Sequence, residues 1–466
     1  MFYGRKNELK LLNERFDSDR FEFLPIYGRR RVGKTALIQE FIRDKPHVYY
    51  SAINGTHETN MARLSAKVFG RPGITATFDS LLEELDSRAA GGRMVLVIDE
   101  YPRFVSNAPG VSDMLQNFID ERKSESKLFI ILCGSSINLM EHEVLGYKSP
   151  LYGRRTGSLK LEPFDYFQSR EMLEGFSEED MVRIYGMVGG VPLYLEVFDS
   201  RRTLSENVVR NFLRSDSFFL AEPTMMLLEE FENPVTYQMV LNAIADGCTK
   251  MSEISNRIGM ESSNASRLVA DLCRLGIVRK ESPVDNPNGR MTRYHLEDPF
   301  LAFYYRHMYG LQDDLTPETL DETADEILTR HEDSLGFVFE RICAEYFRDK
   351  GQVGKWWGSD PRTRRMEEID IVVSNRRDGI MTRTFVECKY KRTKVGADVL
   401  QTLISRSMLV KDTDERRYAL CSRSGLMEGL SGSDATLLTL DDMVRERCGS
   451  KKRGPWNKLR APSITF

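Results

Sequence analysis

The sequence lacks long apolar runs and has no apolar segment near its first residue. The longest runs, MVLVI and LFIILC, are far too short to cross a bilayer, and MFYGRKNELK has no signal-peptide core. The seven cysteines form no CxxC pair, and an odd number of them, mostly inside apolar runs, indicates free thiols in a reducing compartment. We therefore expect a cytoplasmic protein that does not span a membrane.

Motifs of several enzyme and metal-binding classes are also missing. The sequence contains no HExxH, no paired Cys/His spacing for zinc and no GxSxG, and its six histidines show no ligand spacing. Structural zinc and serine-hydrolase chemistry are therefore not expected. No internal repeat or low-complexity tract is present, so the pattern favours ordinary globular domains.

Length and charge set broad limits on the architecture and partners. With 466 residues the chain is too long for one compact domain, and its 41% hydrophobic and 29% charged residues exclude wholesale disorder. The net charge of -4 hides an uneven distribution, because residues 361–395 contain ten basic and five acidic residues. A tail follows with basic residues and no acid (Lys451, Lys452, Arg453, Lys458, Arg460). The C-terminal region is predicted to attract a phosphate backbone, although a solvated basic face remains open.

The pattern along the chain predicts an α/β protein with several regions. Short apolar runs at 23–27, 47–51, 94–98 and 128–133 alternate with amphipathic helices, which is typical of a parallel sheet covered on both faces. The predicted regions are a parallel-sheet core at 1–160, a helical lid at 161–232, a winged helix-turn-helix at 233–300, a linker at 301–334 and a second α/β domain at 335–466.

Residues 28–35, GRRRVGKT, are a complete match to the phosphate-binding pattern GxxxxGK[ST]. They follow the apolar FLPIY and precede the helical ALIQEFIRD, the strand–loop–helix context that a P-loop requires. Glycines let backbone N–H groups close around phosphate oxygens, and the helix N-terminus adds its positive end. Lys34 is expected to reach the β- and γ-phosphates, and Thr35 to bind Mg²⁺. The predicted ATP-binding residues are Gly28, Arg31, Val32, Gly33, Lys34, Thr35 and Ala36.

A second buried strand, MVLVI, ends in the adjacent acids Asp99 and Glu100. At the carboxyl edge of a parallel sheet Asp99 can bind Mg²⁺, while Glu100 orients and deprotonates a water molecule. A strand that simply ends in charged residues is common, so the two acids gain their meaning from the P-loop. Together they favour hydrolysis of the nucleotide over binding alone.

Two weaker features fit the same site. The strand LFIILC ends near Ser135, whose hydroxyl is expected either to sense the γ-phosphate or to cap the next helix. Arg154 and Arg155 lie in PLYGRRT and offer an arginine finger, in cis or from a neighbouring subunit of a homo-oligomer. A solvated basic loop is the alternative for this pair.

The order of these motifs resembles a known family. FYGRKNEL, GRRRVGKT, VLVIDE, CGSS, PLYGRRT and GGVPLYL occur in the order found in the archaeal-type ATPases, which belong to the signal-transduction-like branch of P-loop ATPases related to AAA+ proteins. The resemblance covers residues 1–300. It implies a P-loop ATPase fold and places residues 2–5 and the GGVP turn at 189–192 beside the adenine.

Residues 233–300 show the pattern of a winged helix. MSEISNRIG at 251–259 predicts a first helix, residues 262–264 are expected to cap a second helix at 265–275, and VDNPNGR predicts the wing tip. Basic side chains available for phosphates are Arg257, Arg267, Arg274, Arg279, Lys280, Arg290 and Arg293. Docking on duplex DNA through the second helix and use as an internal packing module both remain open.

The C-terminal region combines an acid on one predicted strand with an ExK triplet on the next. Asp370 lies in MEEIDIVV, and Glu387 and Lys389 lie two apart in FVECKY, so their side chains share a face. Acids on apolar strands are costly to bury without a partner, and a divalent cation bound by Asp370 and Glu387 would satisfy both. Lys389 would then position the attacking water or neutralise the transition state. A surface salt bridge is the alternative for the triplet.

This D…ExK arrangement resembles the PD-(D/E)xK nuclease superfamily, with Ile369 in the place of the proline. The resemblance implies a restriction-endonuclease-like fold, a further metal-binding acid at Glu340 on an upstream helix, and a role for Gln401 downstream. The same segment resembles a C-terminal domain of uncharacterised function found in many archaeal-type ATPases.

Taken together, the sequence predicts an Mg²⁺-dependent ATPase whose cycle controls a DNA-binding winged helix and a metal-dependent nuclease-like domain. Its expected cofactors are ATP and Mg²⁺, and DNA is favoured over RNA as its nucleic-acid partner. The alternative is an ATP-dependent signalling or regulatory switch whose C-terminal domain only binds nucleic acid or a protein.

Overall fold

The computed structural model describes residues 2–106, 108, 110–287, 289, 291–311, 315–425, 427 and 435–449. These residues form two compact units. The first unit contains the described residues up to Phe164, together with Val191–Tyr194 and Thr224–Asn233. The second unit contains the other described residues from Asp165 onward. Arg290 and the basic tail from Lys451 lie outside the described residues. No described helix is both long and apolar enough to cross a membrane.

The first unit is built on a five-stranded parallel sheet with strand order β2-β3-β4-β1-β5. Its strands are β1 (Glu22–Tyr27), β2 (His47–Ser51), β3 (Met94–Asp99), β4 (Leu128–Gly134) and β5 (Leu159–Lys160). Its helices are α1 (Lys6–Asp17), α2 (Lys34–Ile42), α3 (His57–Phe69), α4 (Phe78–Gly91), α5 (Tyr101–Val105), α6 (Val111–Arg122) and α7 (Ile137–Met140). The predicted parallel sheet is confirmed, with β4 lying between β1 and β3.

Alternating side chains explain why this sheet is covered on both faces. Leu96 and Ile130 belong to one buried apolar cluster, and their neighbours Val97 and Ile131 belong to a second. Strands that are buried on both faces read as continuous apolar runs, as MVLVI and LFIILC do. Since parallel strands end at the same edge, the sequence that follows β1, β3 and β4 converges at one edge of the sheet.

Helices and a winged helix-turn-helix follow. The helices are α8 (Tyr166–Ser169), α9 (Glu178–Val188), α10 (Pro192–Glu196), α11 (Leu204–Val208), α12 (Phe218–Glu230), α13 (Val235–Ala245), α14 (Met251–Ile258) and α15 (Ser262–Arg274). The wing strands β6 (Val278–Glu281) and β7 (Arg293–Leu296) pair antiparallel. Residues 262–264, which were predicted as a cap, lie in the first turn of α15, and its N-cap Glu261 makes no side-chain capping bond.

Residues 301–334, which the sequence predicts to be a linker, carry regular structure. Most of α16 (Pro299–His307) and all of α17 (Leu320–Glu332) fall within them, and Ile327 and His331 are buried. Acidic composition alone therefore did not reveal that α17 has an apolar face. The domain boundaries themselves stay a prediction.

The C-terminal region is a mixed five-stranded sheet of order β12-β11-β10-β9-β8. Its elements are α18 (Leu335–Phe347), β8 (Gln352–Ser359), β9 (Met366–Arg377), β10 (Ile380–Lys389), α19 (Ala397–Ser407), β11 (Glu415–Ser422), β12 (Ala435–Thr439) and α20 (Leu440–Cys448). Strand β9 pairs antiparallel with both β8 and β10, whereas β10, β11 and β12 run parallel. The β9–β10 turn is Asp378-Gly379, both with positive φ, the two-residue geometry that suits a tight hairpin.

Candidate functional site

The loop between β1 and α2 closes around the ammonium group of Lys34. Its Nζ atom donates hydrogen bonds to the carbonyl oxygens of Gly28 at 2.7 Å and Arg29 at 2.9 Å, and the side chain is buried. A Cβ atom at Gly28 would lie 2.3 Å from the Leu161 carbonyl oxygen, so only glycine fits there. Because α2 begins at Lys34, the first N–H groups of this helix have no intrahelical acceptor and can bind an anion.

The predicted magnesium ligands Thr35 and Asp99 lie in direct contact. The Thr35 hydroxyl donates to Asp99 Oδ2 at 2.9 Å, and Asp99 is 4% exposed. Tyr49 on β2 donates its phenol hydrogen to the same oxygen at 2.7 Å. Burial and then the hydrogen bond to Asp99 raise the pKa of Tyr49, so the phenol stays a donor. Sequence reasoning missed Tyr49, because only the pairing of β2 with β3 places it beside Asp99.

Glu100 follows β3 in a left-handed backbone conformation, with φ of 54°. Its N–H donates to Asp99 Oδ1 at 3.0 Å, and its Oε2 atom accepts a hydrogen bond from the Ser135 hydroxyl at 3.3 Å. A left-handed non-glycine residue is uncommon and is often found at a functional site. Because β4 lies next to β3 in the sheet, Ser135 after the end of β4 comes to lie beside Glu100.

Two acids at the end of α12, Glu229 and Glu230, also reach the serines that follow β4. Ser135 donates a hydrogen bond to Glu229, and Ser136 donates to Glu230 at 3.2 Å. Glu230 further accepts the N–H of Ile137 at 2.8 Å, and burial raises the pKa of its carboxyl group despite these bonds. Ser136 is also the N-cap of α7, because its side-chain oxygen accepts the N–H of Leu139. Nothing local in the sequence pairs residues about 94 apart, so this contact was not predicted.

The predicted arginine-finger residues make their contacts elsewhere. Arg154 forms an ion pair with Asp120 on α6, with Nη2 3.0 Å from Oδ2, and donates to the Pro150 carbonyl. The Arg155 guanidinium lies 5.7 Å from the ring centroid of Tyr152. Among the residues that the structure describes, no contact joins either arginine to the P-loop or to Glu100. A role for this pair toward a neighbouring subunit stays a prediction.

Arg5 hydrogen-bonds to the backbone of the P-loop. Its Nη2 atom donates to the carbonyl oxygens of Val32 at 2.9 Å and Glu162 at 2.7 Å, and its guanidinium lies 4.4 Å from the Phe164 ring centroid. Burial lowers the pKa of this guanidinium, yet an arginine stays charged. The part of the GGVP turn in the first unit also lies here, since a Cβ at Gly33 would be 3.9 Å from Pro192. The family resemblance implies that residues 2–5 and the GGVP turn lie beside the adenine. In the structure, the hydrogen bonds of the Arg5 side chain to the backbone include one to the P-loop residue Val32.

The C-terminal acids lie where β9 and β10 pair. The ladder ends at Ile371 opposite Val386, one residue before Asp370 and Glu387. The pairing of β9 with β8 is irregular at this point, and bulges of this kind re-aim side chains next to functional sites. Asp370 Oδ2 accepts the N–H of Cys388 at 2.8 Å, which ties the two strands together.

Glu387 is the most confined of these acids. It is 5% exposed, and its Oε1 atom pairs with Lys389 Nζ at 2.6 Å and with Arg406 Nη1 at 3.7 Å. Its Oε2 atom is buried and has no hydrogen-bond partner among the described residues. Burial and then the nearby charge of Asp370 raise the pKa of Glu387, and burial also raises that of Asp370. Buried polar atoms are usually hydrogen-bonded, so this oxygen is a candidate ligand for a water molecule or a cation.

The third predicted acid, Glu340, has a partner of its own. Its Oε2 atom lies 2.5 Å from Lys355 Nζ on β8, and burial raises the pKa of the Glu340 carboxyl group. Within the described residues, Glu340, Asp370 and Glu387 do not form a group with one oxygen from each within 4.8 Å of the others. Glu387 is thus in direct contact with Lys389, whereas the direct partner of Glu340 is Lys355.

The wing of the helix-turn-helix packs against the C-terminal sheet. Arg293 donates to Glu368 at 2.9 Å and lies 4.5 Å from the Trp357 ring centroid, and the Val284 N–H donates to the Lys355 carbonyl at 3.0 Å. Asp285 accepts the indole N–H of Trp356 at 3.0 Å. The internal packing role is thus realised by the wing, and Arg293 is not available to a phosphate in this arrangement.

The outer face of α15 remains exposed. Leu268 and Leu272 are buried beneath the helix, and the exposed positions of the helix are Ser262, Ser263, Asn264, Ser266, Arg267, Ala270 and Arg274. Of the basic residues at 361–395, Arg383 is buried and donates to Thr413 at 2.7 Å, so it is structural. The exposed basic residues of this segment are Arg362, Arg364, Arg365, Arg376, Arg377, Lys391, Arg392 and Lys394.

Three parts of the chain match described families. Residues 2–198 match an ATPase domain found predominantly in Archaea. Residues 239–282 match the IclR helix-turn-helix domain, and residues 304–399 match archaeal and bacterial proteins of unknown function. The archaeal-type ATPase domain and the helix-turn-helix that the sequence predicted are thereby confirmed.

The chain is similar to known proteins and to solved structures. An uncharacterized ATP-binding protein of Methanocaldococcus jannaschii is 44% identical over 45 residues, which is 10% of this chain and 76% of that protein. A Walker-type ATPase of Pyrococcus abyssi aligns with a TM-score of 0.49 at 20% identity, covering 66% of this chain and 96% of that one. The ORC2 protein of Aeropyrum pernix aligns with a TM-score of 0.43 at 13% identity, covering 70% and 94%.

One relative extends over almost the entire sequence. An uncharacterized protein of Methanocaldococcus jannaschii is 32% identical over 461 residues, which is 95% of this chain and 100% of that protein. Matched along the full length of that relative and carrying the ATPase domain over residues 2–198, the chain belongs to the archaeal-type ATPases.

Proposed function

We propose that the first unit binds and hydrolyses ATP in the presence of Mg²⁺. The observation that carries this proposal is the contact of Thr35 with Asp99 at the end of the P-loop, with Glu100 following Asp99. Phosphate oxygens would take the N–H groups at the start of α2 and the ammonium of Lys34, in place of the carbonyls of Gly28 and Arg29. The ATPase domain family of residues 2–198 supports this reaction.

The residues around Asp99 fit a hard divalent cation. Thr35 and Asp99 supply a hydroxyl and a carboxylate oxygen, the ligand types that Mg²⁺ prefers. When bound, Mg²⁺ would neutralise charge on the phosphates. Tyr49 holds the Asp99 carboxylate in place through its hydrogen bond, and Glu100 accepts the proton of an attacking water.

Replacing Lys34 tests the phosphate site. We expect Lys34→Ala to lower ATP affinity by roughly 10- to 100-fold, because a hydrogen bond to a charged group contributes about 1.5–3 kcal/mol. Calorimetric titration of the full chain with ATP measures the change. Lys10→Ala is the matched control, since Lys10 lies on the exposed surface of α1 in an ion pair with Glu14. Equal affinities of Lys34→Ala and wild type would contradict the proposed phosphate site.

We propose that α15 docks on duplex DNA. Its exposed residues are small ones together with Arg267 and Arg274, while its apolar face is buried in the domain. A helix of this kind fits the major groove, and the match to the IclR helix-turn-helix domain supports the proposal. The wing contributes less than the sequence predicted, because Arg293 and Asp285 contact the C-terminal sheet.

Salt dependence tests the role of α15. We expect Arg267→Ala to make the slope of log affinity against log salt less steep by about one, because one phosphate contact is lost. Fluorescence anisotropy with a labelled duplex at several salt concentrations measures the slope. Arg88→Ala, on α4 of the first unit, is the control because Arg88 is half-exposed and pairs with Glu84. An unchanged slope for Arg267→Ala would remove α15 from the interface.

We further propose that the C-terminal region cleaves nucleic acid with a divalent cation. The unpartnered Oε2 atom of Glu387 and the nearby Asp370 carboxylate fit a hard cation, whose chemistry would be to stabilise charge on the scissile phosphate. Lys389, tied to Glu387 at 2.6 Å, is positioned to orient the water or neutralise the developing charge. The exposed Lys391, Arg392 and Lys394 follow directly and suit a phosphate backbone.

A second candidate function rests on the contacts of Glu340. Because Glu340 is paired with Lys355 and the three acids do not close into one group, the C-terminal sheet could serve only to bind nucleic acid or a protein under control of the ATPase. A single assay distinguishes the two functions. Salt-dependent binding of DNA or RNA that stays intact with Mg²⁺ or Mn²⁺ supports the regulatory switch, and metal-dependent cleavage supports the nuclease.

A further inference from the structure

Three cysteines that are far apart in the sequence meet in the C-terminal region. Cys388 on β10 and Cys421 on β11 are direct partners in the parallel ladder, and Cys343 comes from α18. Their sulfur atoms all lie within 4.8 Å of one another, and each side chain is buried. The spacing along the chain gave no sign of this cluster, because the strand register and the packing of a helix create it.

The cysteine cluster is distinct from the neighbouring carboxylates. Side chains alternate along a strand, so Cys388 points to the face opposite to Glu387 and Lys389. Within the described residues, no carboxylate or imidazole joins the three thiols as a ligand group. The thiol set is therefore soft, whereas Asp370 and Glu387 are hard oxygen donors, and the two sets select different metal ions.

The distances suit one shared metal ion. Since Zn–S bonds are about 2.3 Å long, the sulfurs of a tetrahedral site lie roughly 3.8 Å apart, a separation that the observed cluster reaches with small side-chain adjustments. The cluster thus gathers three buried sulfurs around one point.

We propose that Cys343, Cys388 and Cys421 bind one thiophilic metal ion, Zn²⁺ or Cu⁺, as three thiolates. The thiol protons leave to solvent as the metal–sulfur bonds form, and the sulfurs are neither oxidised nor reduced. Three thiolates complete a trigonal Cu⁺ site, whereas Zn²⁺ takes a further ligand such as water. The site is structural in effect, since it fastens α18 to β10 and β11, and it does not depend on whether the carboxylates cleave nucleic acid.

Metal uptake by the full chain tests the proposal. Protein purified with a reductant and stripped with a chelator is titrated with Zn²⁺, with Cu⁺ under anaerobic conditions, and with Co²⁺ as a spectroscopic probe. We expect one tightly bound ion per chain by elemental analysis, a sulfur-to-cobalt charge-transfer band, and a higher Tm for the loaded protein, because a ligand that binds only the folded state stabilises it. Comparing the Zn²⁺ and Cu⁺ arms identifies which ion the site prefers.

Single substitutions locate the ion. Cys388→Ala and Cys421→Ala should each lose the charge-transfer band, whereas the controls Cys248→Ala and Cys273→Ala, at cysteines outside the cluster, should keep it. Asp370→Asn should also keep the band, which separates this site from the carboxylates. If a variant does not fold, loss of the wild-type charge-transfer band after treatment with a thiol-alkylating reagent tests instead whether thiolates bind the metal. The proposal would be overturned if wild-type protein bound none of the three ions. It would also be overturned if both Cys388→Ala and Cys421→Ala kept the charge-transfer band.

Discussion

Glu100→Gln is expected to bind ATP with nearly wild-type affinity and to hydrolyse it about 10²- to 10⁴-fold more slowly, because a positioned general base contributes a factor of that size. The amide keeps the shape of the carboxylate and can still accept the hydrogen bond from Ser135, but it cannot take a proton from water. The left-handed backbone at this position is unaffected by the change of side-chain terminus. Phosphate release and calorimetric titration of the same preparation separate turnover from binding.

Glu229→Gln is the matched control for this experiment. Glu229 also accepts a hydrogen bond from Ser135, but it belongs to α12 and does not follow Asp99, the proposed magnesium ligand. We expect this variant to retain most of its turnover. Unchanged turnover in Glu100→Gln would remove Glu100 from the base role, and a larger loss in Glu229→Gln would transfer that role to Glu229.

The second large effect is expected in the C-terminal sheet. Lys389→Ala should slow metal-dependent cleavage of DNA by about 10²- to 10³-fold, the range found when one group that stabilises a transition state is removed. Asp370→Asn should reduce cleavage at least as strongly, since an amide replaces a charged ligand. Cleavage of a labelled substrate with Mg²⁺ or Mn²⁺, at saturating protein, gives the rates without a contribution from binding.

Asp378→Asn provides the control for Asp370→Asn. Asp378 makes the tight turn between the same two strands, where its φ is 51°, and asparagine tolerates this conformation well. Its side chain is exposed and should leave cleavage unchanged. Wild-type protein that is as inactive as Asp370→Asn on DNA and RNA with either metal would exclude the nuclease and leave the binding function.

Local motifs were the part of the molecule that sequence could predict. The P-loop is contiguous in the sequence, and its glycines and lysine are the residue types that phosphate binding requires. The neighbouring apolar runs form strands that are buried on both faces of the sheet. Asp99 and Glu100 were found for the same reason, as the end of one strand. In the winged helix, the left-handed Gly259 ends α14 one residue from the predicted boundary.

Contacts between distant segments were the part that sequence could not predict. Tyr49 reaches Asp99 only through the pairing of β2 with β3, and Arg5 reaches Val32 only because α1 packs beside the P-loop. The wing was predicted from its turn residues, but its contact with Trp356 depends on the packing of two sheets. Each of these contacts is set by tertiary packing, which leaves no periodic signal in the chain.

The contact of Glu229 and Glu230 with the serines after β4 has a thermodynamic consequence. If a γ-phosphate takes the hydroxyl of Ser135, it competes with Glu229 for the same hydrogen, and the two negative groups also repel one another. Nucleotide binding and release of this end of α12 are then linked equilibria, and such linkage is reciprocal. Any partner that draws Glu229 away from Ser135 would raise the affinity for ATP by the same factor by which ATP raises the affinity for that partner. Only residues 231–234 separate Glu230 from α13, so the region of the helix-turn-helix begins close in sequence to the end of α12 that would be released.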